Sequence, residues 1–97
     1  MRISVRFFTT LREIAGKKEE TLEFRKGEKV TVKQLLERLS KEYGGSFDEY
    51  VYDRKTGKVK GFLQFLVNGR SLTMSEEMES TFSDGDVIAI LPPVSGG

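Results

Sequence analysis

The stretch VTVKQLLERLSKEYGG, residues 30–45, holds the clearest helix in the sequence and does most to constrain the fold. Val32, Leu35, Leu36, Leu39 and Tyr43 recur at helical spacing and so form a single apolar stripe. Thr31 and Gln34 stand at capping-box spacing ahead of it, and Gly44 and Gly45 stop it. Fewer than three heptads are present, too few for a coiled coil, and the stripe has the width of a sheet covering. The rest of the chain must therefore supply a sheet.

Short alternating runs supply it. In RISVRFF, Ile3, Val5 and Phe7 alternate with Arg2, Ser4 and Arg6, which predicts a strand with one face on a core. Phe8 falls on the face of Ser4 and Arg6, where its ring is either exposed or covered by a neighbouring helix or loop. TTLREIAG predicts a two-turn helix, with Thr10 and Glu13 at capping-box spacing and Gly16 at its end. EETLEFRKGE predicts a second strand with Leu22 and Phe24 inward, able to pair with the first through the short helix.

After the long helix, residues 46–61 predict a turn of helix around Phe47 to Tyr50, then two short strands joined by a turn at Gly57. Arg54, Lys55, Lys58 and Lys60 read as the solvation of that loop. FLQFLVNGRSLT is apolar around the single Gln64 and predicts a central strand covered on both faces, then a hairpin turn at Asn68-Gly69 with Leu72 opening the return. Met74, Met78 and Phe82 are expected to anchor the polar stretch that follows, with a turn at Asp84-Gly85. VIAIL predicts a fully buried strand in mid-sheet beside the first.

This order predicts an α+β fold of the ubiquitin-like, or β-grasp, type. Its mixed sheet has about five strands, one long helix crosses one face, and a short helix joins the first two strands. Residues 1–91 form the domain and 92–97 a flexible tail ending in Gly-Gly.

Composition then narrows the chemistry. The sequence has no cysteine and no histidine, so disulfides, thiolate nucleophiles and the commonest zinc and general-base groups are all missing. No metal site and no active site built of side chains is expected. Sixteen Lys and Arg against fifteen Asp and Glu leave a net charge of +1, too little to draw in nucleic acid or an acidic membrane. No apolar stretch approaches a membrane span or a secretory signal, which places the chain in the cytoplasm by expectation.

The tail is where chemistry is expected. Pro92 and Pro93 cannot donate to a strand ladder, so pairing ends at Leu91 and the chain leaves the sheet stiffly. Pro92, Pro93, Val94, Ser95, Gly96 and Gly97 together reach about 20 Å, far enough to thread a partner's pocket. Gly96 and Gly97 pass channels closed to any side chain. The Gly97 carboxylate is inert until activated; as an acyl adenylate it would accept sulfur or an amine. The chain has no Gly-rich phosphate loop, so another enzyme must use the ATP, and no cofactor is expected to be bound.

VRFFTTLREIAG at the start, LVNG at 66–69 and SDGDVIAILPPVSGG at the end resemble the small subunit of molybdopterin synthase, one of the ubiquitin-like sulfur carriers. The resemblance covers nearly the whole chain. It implies that a ubiquitin-activating-type enzyme adenylates Gly97, which becomes a thiocarboxylate. The tail then enters the large synthase subunit, where its sulfur builds the dithiolene of molybdopterin. It further implies that Arg12, Leu72 and Leu91, with Phe8 beside them, grip the activating enzyme. Three alternatives stand: a modifier joined to lysines through Gly97, a thiamin-pathway sulfur carrier, and a non-covalent β-grasp interaction module. Residues 44–61 look longer than in typical bacterial members.

Overall fold

The computed structural model describes residues 1–73 and 79–92. The expected placements of Met74, Met78 and the tail from Pro93 to Gly97 lie outside those residues. Among the described residues eight elements follow in chain order: β1 (Arg2–Phe7), α1 (Thr9–Ala15), β2 (Glu19–Glu23), α2 (Val32–Tyr43), α3 (Gly45–Val51), β3 (Gln64–Val67), β4 (Arg70–Ser71) and β5 (Val87–Leu91). The strands form one sheet in the order β2-β1-β5-β3-β4. β1 and β5 run parallel at its centre, and the other pairs are antiparallel. This is the expected mixed five-stranded β-grasp sheet, with α3 as an added helix.

One face of the sheet carries the core. Ile3, Val5 and Phe7 of β1, Leu22 of β2, Phe65 of β3 and Ile88 and Ile90 of β5 are buried with Val32, Leu35, Leu36 and Leu39 of α2. No polar side chain is buried among the described residues. The stripe read from the sequence is thus the sheet's cover. The capping box forms as expected: the Thr31 side chain receives the Gln34 N–H, and Gln34 Oε1 accepts the Thr31 N–H at 2.9 Å.

Three expectations change. The Thr10–Glu13 box does not form, because α1 starts two residues early with Phe8 at its N-cap and no side-chain cap. β3 is shorter than its apolar run: Leu63 N–H donates to the Lys60 carbonyl at 3.3 Å, and this turn leaves Phe62 outside the strand, 44% exposed. Neither β3 nor β5 is covered on both faces. In β5, Ile88 and Ile90 are buried while Val87, Ala89 and Leu91 are only half-buried, and in β3 Phe65 is buried while Gln64 is exposed.

Residues 44–61 hold the expected helix, lengthened to Gly45–Val51, but the two short strands expected after it reduce to a single bridge. Phe47 and Val51 of α3 enter the core, and a bridge pairs Tyr52 with Val59. Gly57, at φ 72°, closes the turn, and its N–H donates to the Asp53 carbonyl at 2.8 Å.

Candidate functional site

The sheet face opposite α2 holds the candidate docking surface. Along β5, Val87, Ala89 and Leu91 point away from the core, and Leu66 of β3 stands beside Ala89 by strand register. On the other flank, Arg6 of β1 pairs with Ala89 and Ser4 with Val87. The result is an apolar stripe along the middle of an otherwise polar face, aimed at Pro92, where the tail begins. A strand of alternating burial can serve a core on one side and a partner on the other.

Asn68 fixes the start of that stripe. It turns the chain at φ 51° beside Gly69 at φ 84°, the two-residue hairpin that joins β3 to β4. Its side-chain carbonyl accepts the Val87 N–H at 2.9 Å, and its Nδ2 donates to Asp86 Oδ1 at 2.9 Å. Its own N–H donates to the Val87 carbonyl at 2.8 Å. The turn signal was plain in the sequence, but these bonds to Asp86 and to Val87 of β5 were not.

At the other end of the stripe, Phe7 pairs with Ile90, so Phe8 emerges beside Leu91. Phe8 and Leu91 are both half-buried. The guanidinium of Arg12 lies 5.9 Å from the Phe8 ring centre, and its Nε donates to the Phe7 carbonyl over a long 3.4 Å. Thr9 between them sits at φ 45°, a region β-branched residues avoid at a cost of about 1–3 kcal/mol. This tight corner brings Phe8, Arg12, Leu91 and half-buried Pro92 to one end of the sheet. Leu72 is placed elsewhere. It follows β4, donates its N–H to the Phe65 carbonyl at 3.0 Å and packs against the edge of the core. Leu66, which the sequence reading did not single out, takes the open-face position instead; its alternation with Phe65 was the available signal.

Among the described residues no helix is long and apolar enough to cross a membrane, and no cluster of acidic side chains is set to hold a metal ion.

The sheet order, the crossing helix and the terminal strand leading into the tail define a ubiquitin-like β-grasp protein of the small sulfur-carrier class. The chain belongs to the ThiS family, which matches residues 5–97. It is 35% identical over 97 residues, the whole of both chains, to small archaeal modifier protein 3 of Haloferax volcanii. Its structure is similar to that of a putative molybdopterin converting factor, subunit 1, from Pyrococcus furiosus, with a TM-score of 0.70, 31% identity and coverage of 97% of this chain and 99% of that one. It is also similar to a chain in the crystal structure of the Amycolatopsis orientalis BexX/CysO complex, with a TM-score of 0.70, 26% identity and coverage of 98% and 99%.

Proposed function

We propose that this protein carries sulfur on Gly97 as the small subunit of molybdopterin synthase. One observation carries the reading: the central strand β5 presents a half-buried apolar stripe on the face away from α2 that ends at Leu91, where the chain passes directly into PPVSGG. A partner seated on the stripe would receive the tail at a fixed point. The likeness to a molybdopterin converting factor subunit and the LVNG and PPVSGG motifs support this choice of pathway.

In the proposed reaction the Gly97 carboxylate attacks the α-phosphorus of ATP on an adenylating enzyme, and pyrophosphate leaves. A hydrosulfide equivalent then adds to the acyl carbon, and AMP departs with the bonding pair. The thiocarboxylate so formed would enter the large synthase subunit, whose substrate accepts the sulfur. The absence of a side chain at Gly97 leaves the acyl carbon of the adenylate open to the incoming sulfur. The chain contributes the docking stripe, the reach of the tail and the acyl group; the nucleotide chemistry belongs to its partner.

A modifier role is the second reading, favoured by the full-length identity to small archaeal modifier protein 3. It uses the same adenylate but ends in an amide to a lysine. Incubation with a ubiquitin-activating-type enzyme, ATP and a sulfide donor, followed by intact-mass spectrometry, tests both. The carrier reading expects a mass gain equal to one oxygen replaced by sulfur, lost on deletion of Gly97. Gly97-dependent heavier conjugates in cells, with no thiocarboxylate, would replace it with the modifier.

A further inference from the structure

The end of the sheet where the tail leaves is flanked on both sides of β5. Phe8 and Arg12 stand on the β1 side. On the β3 side, Gln64 pairs with Leu91, and Phe62 lies two residues upstream at the same end. With β5 between them, β1 and β3 are on the order of 10 Å apart. Phe62 is the large apolar side chain left exposed among the described residues, at 44%. Its ring meets Tyr50 of α3 edge-on at 6.4 Å and 64°, and Lys60 Nζ lies 5.7 Å from its centre. Each flank of the tail exit therefore presents a phenylalanine with a cation over it.

Phe62 is held by a firmly bonded segment. The Asp53 N–H donates to the Lys58 carbonyl and the Lys60 N–H to the Val51 carbonyl, both at 2.8 Å. Asp53 Oδ1 accepts the Lys55 N–H at 2.7 Å. An anchor fixed this way loses little freedom on binding. Lys60 Nζ donates to the Glu49 carbonyl at 2.8 Å, and neither Lys60 nor Arg12 is ion-paired among the described residues. Both keep their charge available to a partner.

We propose that Phe62, backed by Tyr50 and Lys60, extends the docking surface for the adenylating enzyme across β5, and that it enters an apolar hollow rimmed by carboxylates on that enzyme. The inference rests on the tail-activation chemistry above, which the carrier and modifier readings share. The occupant follows from the place of Phe62 at the end of the sheet that also carries Phe8, Arg12 and Leu91, beside the tail's exit, and from two cations without an ion pair among the described residues, which call for acidic groups opposite.

Carrier-dependent ATP–pyrophosphate exchange with a ubiquitin-activating-type enzyme tests it. Phe62→Ser and Lys60→Glu are each expected to raise the KM for the carrier by about tenfold, the usual effect of losing an interface anchor, with kcat within about twofold. Lys60→Arg should restore the wild-type KM, and added salt should weaken the wild type more than Lys60→Glu. Phe62 is exposed and Lys60 half-buried, outside the core, and thermal unfolding will report that both variants fold. A KM within about twofold of wild type for both overturns the inference. If Phe62→Ser instead lowers thermal stability without moving KM, the ring covers a segment of its own chain and the inference is likewise overturned. No exchange with the wild type would overturn the tail-activation reading itself.

Discussion

At the residue scale, Asn68 shows how one side chain can set a surface. Its turn role was legible, since Asn-Gly between two apolar runs calls for positive φ. Its second role joins residues nineteen apart in sequence and could emerge only when β3 and β5 met. Asn68→Ala is expected to lower stability by about 2 kcal/mol, from two lost hydrogen bonds and a left-handed alanine, measured as a shift in the urea midpoint. A loss below about 0.5 kcal/mol would show that these bonds contribute little. The two capping-box patterns give a similar contrast. Thr31 and Gln34 form theirs, while Thr10 and Glu13 do not, because the corner at Phe8 and Thr9 starts α1 two residues before the motif requires.

At the scale of elements, α2 is tied to the sheet by more than its stripe. Tyr43 meets Phe7 edge-on at 5.9 Å, and its hydroxyl donates to Glu20 Oε2 of β2 at 2.7 Å. Burial first, and then the bond to Glu20, hold the phenol well above its ordinary value of 10.0. Because the folded value is raised, this contribution is complete below the unfolded phenol's pKa and is lost as pH rises toward the folded one. Tyr43→Phe should therefore cost about 1 kcal/mol at neutral pH and flatten the fall in stability between about pH 10 and 12. Chemical unfolding across that range checks both. Burial, with Asp48 and Glu37 nearby, raises Tyr52 as well, so some decline should remain in the variant. The positions of β3 and β5 were legible, but their coverage was not. An apolar run reads the same whether its second face meets a helix or awaits a partner.

At the scale of the molecule, the two faces of the sheet should respond differently to mutation. Leu36→Ala, on the sheet-facing stripe of α2 and fully buried, is expected to cost about 2–5 kcal/mol through the cavity it leaves. Leu91→Gln, half-buried on the open face, should cost about 1 kcal/mol or less while sharply reducing thiocarboxylate formation. Denaturant midpoints and intact-mass spectrometry on the same two variants separate the effects. Equal losses of stability would mean that the open face is a second core surface. By itself, the sequence determined the element order, the β-grasp class, the helix stripe and the character of the ending, because each depends on local periodicity or backbone chemistry that neighbouring residues carry. Only the tertiary structure decided that β5 is covered on one face, that Leu66 and not Leu72 borders its stripe, and that Phe8 and Phe62 stand on either side of the tail's exit. Those relations depend on strand order and register, which bring together residues far apart in the chain.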